Sequence, residues 1–171
     1  CDEIPILGID FLRGPLGPKV IGPDGELNNP VVGEQADTIV ELGMSSFTYY
    51  NNNPFTWTPT DDPGNAQEYF NYMTGSWRDG SPFEYGGDGY QEGTSPVDYA
   101  FPDPPDDPEG WSMCTAEGAY PIATGGDRRI IQSSGPFRLD PGAVNELMIG
   151  VVFVPDQDYP CPSIRALQAA D

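Results

Sequence analysis

The chain has 171 residues, 27 of them acidic and 7 basic, and no histidine, which gives a formal net charge of −20. So few cationic side chains argue against partners that present phosphates, namely nucleic acid and an anionic membrane surface. The absence of histidine excludes Ser-His-Asp and Cys-His catalysis, and also zinc held by histidine.

Composition favours a single folded domain, 1–171, with long loops. The 20 prolines and 21 glycines approach the level at which disorder becomes a concern, but 3 tryptophans, 9 tyrosines and 8 phenylalanines are present. Disordered chains are poor in aromatic residues. The acidity keeps a secreted protein soluble, suits salty surroundings or is offset by bound Ca²⁺. We expect a mature or excised fragment of a longer exported protein whose export signals lie elsewhere.

The first part of the chain alternates loop chemistry with one clear strand pattern. Residues 1–35 are punctuated by Gly-Pro pairs, which predicts an extended, loop-rich N-terminal part. Within 46–50, Phe47 and Tyr49 share one face and the intervening residues share the other. This alternation predicts a half-buried strand.

The segment 66–77 carries the best helix pattern in the body of the chain. We expect a stripe of large side chains at helical spacing to pack into the core: Tyr69 or Phe70, Met73 and Trp77. The Asp-Gly pair that follows at 79–80 predicts the end of the helix. From 81 to 120 the chain reads mostly as loop, and a loop of this length usually carries function or binds something that orders it.

The stretch 127–154 contains the longest apolar run of the sequence, 147–154, broken only by Gly150. A Pro-Gly turn at 141–142 separates that run from a second strand-like segment. We interpret the stretch as two strands and their connection at the centre of a β-rich core. Ser163 is expected to begin a C-terminal helix.

The cysteines and arginines predict structural links. Cys1, Cys114 and Cys161 form no CxxC, so a thiolate metal site is disfavoured. We predict a disulfide between Cys114 and Cys161, with Cys1 free or paired outside this segment. Arg128 and Arg129 are expected to bind carboxylates of the acidic loops, with an anionic ligand as the alternative.

Carboxylate-rich loops are the only chemistry present in quantity. Ca²⁺ takes about six to eight oxygen ligands, and five aspartates in two loops are candidate calcium ligands: Asp61, Asp62, Asp103, Asp106 and Asp107. Neither loop matches an EF-hand, so a solvated acidic loop is the alternative. The glycine-rich segment 86–89 lacks the lysine of a phosphate-binding loop and is interpreted as a flexible turn.

Four aromatic residues near acidic and amide side chains are candidate ligand-binding residues, and we expect them to be exposed: Trp57, Tyr85, Tyr90 and Trp111. Such rings suit stacking on a sugar. Two carboxylates facing each other across the sugar would extend binding to glycoside hydrolysis, but no spacing in this sequence is diagnostic of that pair.

Several segments in a fixed order resemble a recurrent part of large secreted proteins from gliding, type IX-secreting bacteria. The resemblance covers 38–171, and its matching segments are 42–51, 69–80, 85–90, 127–129, 134–142 and 164–171. It implies export to the cell surface or the medium, with a separate C-terminal sorting domain outside this chain. It carries over no catalytic motif.

We therefore predict an all-β or β-dominated fold with a β-sandwich-like core, long Pro/Gly/Asp-rich loops, one short internal helix and a C-terminal helix. The expected function is a non-enzymatic extracellular structural, adhesion or assembly module. Its partners would be other protein chains or the rest of its own polypeptide. The alternative is a carbohydrate-binding or glycoside-processing domain. No nucleic acid partner and no membrane insertion are expected, and local function is expected in the loops 52–65 and 84–112.

Overall fold

The computed structural model describes residues 3–18, 20–21, 27–28, 39–52, 58–91, 95–115, 127–158, 161 and 163–168. In chain order the elements are β1 (Glu3–Arg13), β2 (Leu16–Pro18), β3 (Val20–Ile21), β4 (Leu27–Asn28), β5 (Ile39–Glu41), β6 (Ser46–Asn51), α1 (Ala66–Met73), β7 (Phe83–Glu84), β8 (Pro96–Val97), β9 (Arg128–Ser133), β10 (Met148–Asp158) and α2 (Ile164–Gln168).

Strands dominate this structure, and the predicted β-dominated fold with an internal and a C-terminal helix is confirmed. In the described part of the chain the strands form five two-stranded antiparallel sheets, β1–β10, β2–β5, β3–β4, β6–β9 and β7–β8. The sheets are therefore smaller than the two broad layers of a sandwich, and loops between them supply much of the packing.

The strand β6 is covered on both faces, whereas its alternation predicts burial of only one. The hydroxyls of Ser46 and Thr48 donate to the carbonyls of Met73 (3.0 Å) and Tyr72 (3.1 Å). On the opposite face, Tyr49 packs against the rings of Trp77 and Phe101. The polar face of β6 is buried because the end of α1 offers carbonyl acceptors to its hydroxyls.

The helix α1 begins at the predicted residue, Ala66, but it ends at Met73 rather than at 77 and turns a different face inward. Its N-cap Asn65 accepts a hydrogen bond from the Glu68 amide at 3.1 Å. Tyr72 is fully buried, while the side chains of the expected stripe within the helix, Tyr69, Phe70 and Met73, are exposed. The prediction of the buried face is therefore wrong.

Tyr72 is suited to the interior because it combines a large ring with a polar end. Its ring stacks on Tyr50 at a centroid distance of 5.3 Å. Its hydroxyl donates to the carbonyls of Asp61 (2.6 Å) and Pro59 (3.1 Å). Trp77 is also buried, as expected, but it lies beyond the end of the helix.

The hydrophobic core is an aromatic cluster built from strand, helix and loop residues: Tyr49, Tyr50, Tyr72, Trp77, Phe83 and Ala100. Trp77 makes edge-on contacts with Phe83 at 4.7 Å and with Tyr49 at 5.8 Å between ring centroids. Edge-on aromatic pairs of this kind add stability beyond the apolar area they bury.

The stretch 127–154 does contain two strands, but they do not pair with each other. Its first strand, β9, pairs with β6, and its second, β10, pairs with β1 along an 11-residue ribbon. Val151 and Phe153 of β10 are each 64% exposed. The expectation that the longest apolar run lies at the centre of the core is wrong, because pairing with β1 satisfies one backbone edge of β10 and leaves the face that carries Val151 and Phe153 largely uncovered.

The C-terminal helix α2 is linked to the loop 103–115 in two ways. Cys114 and Cys161 are joined by a disulfide across 47 residues of sequence, the pairing that the sequence predicts. The amide of Ile164 at the start of α2 donates to the Asp106 carboxylate at 3.0 Å. Cys1 lies outside the described residues. No helix in the described part of the chain is both long and apolar enough to cross a membrane.

Candidate functional site

An open groove of about 840 Å³ lies between the β1–β10 ribbon and the surface formed by α1 and β9. The ribbon contributes Ile9, Phe11 and Ile149 to its lining, and the opposite side contributes exposed side chains of Phe70 and Ile130. The floor between them is polar but uncharged, with serines and a glutamine from 45–46 and 132–134. The groove is thus apolar on its walls and offers hydrogen bonds at its base.

The wall of the groove continues into one apolar face of the ribbon. In the register of β1 and β10, Leu7 lies opposite Phe153, Ile9 opposite Val151 and Phe11 opposite Ile149. Because side chains two residues apart share a face of a strand, these residues form one surface, which we call the ribbon face: Leu7, Ile9, Phe11, Ile149, Val151 and Phe153. Four of its six side chains are exposed large hydrophobic residues: Leu7, Ile149, Val151 and Phe153.

The groove holds little charge. Among the described residues that line it, Glu146 is the one ionisable side chain, and it pairs with Arg13 at 3.4 Å. Glycoside hydrolysis requires two carboxylates that face each other across the sugar. The chemistry available in the groove is therefore apolar contact and hydrogen bonding.

The loop aspartates proposed for calcium each have a separate structural partner. The buried Asp61 accepts a hydrogen bond from the Thr58 amide (2.9 Å), and Asp62 pairs with Arg129 (3.2 Å). In the second loop, Asp107 accepts from the Glu109 amide (3.0 Å), and Asp106 from the start of α2. Within the described residues no group of three or more metal-ligating side chains is placed to hold an ion. Calcium binding stays a prediction.

Three of the candidate residues come together in one hydrogen-bonded cluster. The Asp103 carboxylate accepts from the Tyr85 hydroxyl at 2.5 Å and from the Trp111 amide at 2.7 Å. The hydrogen bond from Tyr85 is the main cause that holds the pKa of Asp103 below its usual range, and the Trp111 amide adds to it. The cluster ties the segment around Tyr85 to the loop 103–111.

Trp111, expected to be exposed, is only 3% exposed. Its ring packs against Tyr85 at 5.4 Å and Phe101 at 5.0 Å, and its indole N–H donates to the Gly87 carbonyl at 2.9 Å. The expectation of exposure is wrong because the ring fills the space beneath the glycine-rich turn, where it completes the aromatic cluster.

For the other two candidate aromatic residues, Tyr90 and Trp57, ligand binding stays a prediction. Tyr90 is half-buried, and its hydroxyl donates to the Asp79 carboxylate at 2.9 Å. This contact is the main cause that raises the pKa of Tyr90 above its ordinary value. Trp57 lies outside the described residues.

The glycine-rich turn 86–89 is a structural acceptor of core side chains. Besides the Trp111 contact, the Trp77 indole donates to the Gly89 carbonyl (2.7 Å) and the Tyr49 hydroxyl to the Asp88 carbonyl (2.9 Å). Gly89 has φ +83°, and a β-carbon there would lie 3.1–3.2 Å from the Trp77 and Trp111 rings. Glycine is required because the backbone approaches two indoles closely.

Arg129 links the strand β9 to an acidic loop, as the sequence predicts. Its guanidinium contacts Asp62 and Asp127, each at 3.2 Å. The hydrogen bond to Asp127 is the main cause that raises the pKa of Arg129 above its ordinary value. Both carboxylates belong to this chain, so the arrangement is a structural link on the surface.

The ribbon face is the feature that sequence reasoning missed. Its signal is present in the sequence as a two-residue spacing of large apolar side chains. Those at 7, 9 and 11 are separated by Gly8 and Asp10, and those at 149, 151 and 153 by Gly150 and Val152. This spacing alone does not show which face of the ribbon is covered.

No protein-family model matches the chain, and no significant similarity to a curated protein or a solved structure is found.

Proposed function

We propose that the chain is a non-enzymatic extracellular module that binds another polypeptide through the ribbon face and the adjoining groove. It would serve as a structural, adhesive or assembly part of a larger exported protein. The observation that carries this proposal is the exposure of four large apolar side chains on one face of a single ribbon. Contiguous exposed apolar surface of this kind marks interaction sites in soluble proteins.

The composition of the groove supports binding over catalysis. Its walls are apolar and its floor carries hydroxyl and amide groups, which is the mixture found in the centre of protein interfaces. Among the described lining residues the single carboxylate, Glu146, forms an ion pair with Arg13. We therefore assign no catalytic residue.

The extracellular location is supported by the disulfide between Cys114 and Cys161, because such bonds persist in oxidising compartments. The resemblance to exported proteins of type IX-secreting bacteria supports the same location and adds no activity. We propose that the partners are other protein chains or further parts of the same polypeptide.

The test is a selection of random peptides on the purified chain, repeated with two ribbon-face variants, Val151→Lys and Phe153→Lys. Selected peptides should lose binding to both variants. They should keep binding to Val144→Lys, which adds the same charge at a side chain that is 86% exposed and outside the groove lining. Peptides that bind all three variants equally would contradict the proposal.

The carbohydrate alternative is tested in parallel with a glycan array and a panel of glycan and peptide substrates. We expect neither hydrolysis nor sugar binding. Hydrolysis of any substrate would overturn the non-enzymatic assignment. Sugar binding that is lost in Tyr90→Ala or Trp57→Ala would establish the alternative.

Calcium binding is tested separately by thermal unfolding with added CaCl₂ and with a chelator. An ion that binds the folded state must raise its melting temperature. A rise that disappears in Asp62→Asn or Asp107→Asn would place calcium in one of the two acidic loops. An unchanged melting temperature would remove calcium from the proposal.

A further inference from the structure

The two strands of the ribbon differ at their outer edges. The carbonyl of Ile9 in β1 accepts a hydrogen bond from the Gln132 side chain at 2.9 Å, and the amide of Phe11 donates to the Asp10 carboxylate at 2.7 Å. The backbone groups of Ile9 and Phe11 thus point away from β10. In an antiparallel pair, residues that point outward on one strand lie opposite residues that point outward on the other.

This alternation determines which backbone groups of β10 point away from β1. Val151 lies opposite Ile9 and Ile149 opposite Phe11, so their backbone N–H and C=O groups point away from β1, as do those of Phe153. The register shifts just beyond this stretch, between the Ile6–Val154 and Ile4–Gln157 pairs, so the alternation applies from Ile149 to Phe153. In the described part of the chain β10 has no strand neighbour other than β1.

Within the described residues, no strand pairs with the outer edge of β10 from Ile149 to Phe153, while side chains occupy part of the outer edge of β1. The run 147–154 carries no charged side chain and no proline, so neither of two common protections of edge strands is present along it. The outward backbone groups and the ribbon-face side chains belong to the same residues. A strand added at this edge would pair with the backbone and extend the apolar face.

Charge decides what kind of partner fits. Two copies of this chain would each bring a net charge of −20, which disfavours a second copy and an anionic membrane alike. A partner with lysine or arginine around an apolar segment gains both attraction to the acidic surface and faster encounter.

We propose that the outer edge of β10 takes up an extended segment of a cationic partner polypeptide, which adds a strand antiparallel or parallel to Ile149–Phe153. This inference rests on the proposed function and names its partner chemistry and binding mode. The backbone hydrogen bonds supply part of the affinity, and alternate apolar side chains of the segment continue the ribbon face.

The probe is a synthetic peptide of alternating valine and threonine with lysines at both ends, measured by fluorescence anisotropy on the full chain. A second peptide carries N-methyl groups on alternate residues of one edge, and a third carries glutamates at its ends. Each backbone hydrogen bond contributes modestly, but N-methylation removes several of them together. We therefore expect it to weaken binding about tenfold or more. The glutamate peptide should bind more weakly, and added salt should weaken only the lysine peptide.

Two protein variants test which backbone N–H groups of β10 point outward. Val151→Pro removes an outward N–H and should weaken peptide binding while the β1–β10 pairing persists. Val152→Pro removes an inward N–H and should disrupt the pairing itself, seen as faster amide exchange in β1. In the parent chain, peptide binding should slow exchange of the Val151 amide. If Val151→Pro does not fold, the N-methylated peptide and the exchange measurement still test whether the peptide adds a strand to β10.

The outcomes separate this inference from the proposed function. If the peptides bind equally with and without N-methyl groups, and Phe153→Lys still abolishes binding, strand addition is overturned and the interaction module stands. If no peptide binds and a random selection ignores the ribbon face, both fall. Dimerisation of the chain alone that Val151→Lys abolishes, or binding to phosphatidylcholine vesicles, would replace the cationic partner with a second copy or a lipid surface.

Discussion

The aromatic cluster and the ribbon face both consist of large apolar side chains, yet Trp77 and Phe83 are fully buried whereas Val151 and Phe153 are mostly exposed. The cluster is enclosed by loops that carry few regular elements of their own. Those loops are attached to the core through aromatic hydrogen bonds, such as those from the Trp77 indole to Gly89 and from the Tyr49 hydroxyl to Asp88. The ribbon face consists of aliphatic residues and phenylalanines, whose side chains have no polar end with which to fix a covering loop.

The difference indicates how a chain rich in proline and glycine builds a core. Loop carbonyls without a strand or helix partner need donors when they are buried. Tyrosine and tryptophan supply a donor and a large apolar ring in one side chain. In this chain burial therefore follows the residues that can anchor loops, and the most apolar strand is left for contact with something else.

Removal of Trp77 gives the sharpest break in this comparison. Trp77→Ala deletes a fully buried ring and its hydrogen bond to Gly89, and we expect a loss of about 3–5 kcal/mol in the free energy of unfolding. Phe153→Ala is the matched control, with an expected loss well below that. Urea unfolding measures both, and similar losses would mean that the ribbon belongs to the same cooperative core.

Loss of the disulfide should come next in size. The Cys114–Cys161 bond closes a loop of 47 residues, and its removal by substitution of both cysteines with alanine should cost about 2–4 kcal/mol. Cys1→Ala, which leaves the bond intact, is the control. If the double variant and Cys1→Ala have the same urea midpoint, the bond contributes nothing to stability.

Glu68 gives an expected pH dependence. A hydrogen bond from the Gly64 amide, together with the Arg78 guanidinium, lowers the pKa of Glu68 below its ordinary value of 4.5. Because the pKa is lower in the folded state, the stability contributed by Glu68 is fully present above 4.5 and is lost as the pH falls through the folded-state pKa.

Glu68→Gln should therefore lower the free energy of unfolding by about 1 kcal/mol at neutral pH, and the difference from the parent chain should shrink in acid. Glu146→Gln is the control, since its ion pair with Arg13 is exposed and should contribute little at any pH. Urea titrations between neutral and acidic pH measure both variants. A difference that grows in acid would contradict the assigned sign.

Local patterns were sufficient to predict several parts of the structure. The strand β6 and the start of the helix predicted over 66–77 follow from residue types at short range. The link from Arg129 to Asp62 spans 67 residues, and it could be predicted only because cations are few and carboxylates many in this chain. The β-dominated class follows as well. The strand and the helix depend mainly on propensity and capping, which act within a few residues of the chain.

The pairing of β1 with β10 and the exposure of the ribbon face could not be predicted in this way. They depend on contacts between the two ends of the chain, and the alternation of 149, 151 and 153 is the same whether that face is covered or open. The inward face of α1 has a similar origin. Tyr72 is selected over Tyr69 because distant residues, Tyr50 and Pro59, offer it a stacking ring and a carbonyl.

The smallest expected effect comes from a pair of shape-conserving exchanges in opposite directions. Val151→Thr places a hydroxyl on the exposed ribbon face, and we expect the free energy of unfolding to change by no more than about 0.5 kcal/mol. Thr48→Val removes the buried hydroxyl that donates to the Tyr72 carbonyl at 3.1 Å, and we expect a loss of about 1 kcal/mol. Valine and threonine have nearly equal volumes. The difference between the two changes in the free energy of unfolding therefore reports whether each site is buried or exposed. A larger loss in Val151→Thr than in Thr48→Val, measured by urea unfolding, would mean that the ribbon face is covered in solution by the chain itself, because only burial makes an added hydroxyl costly.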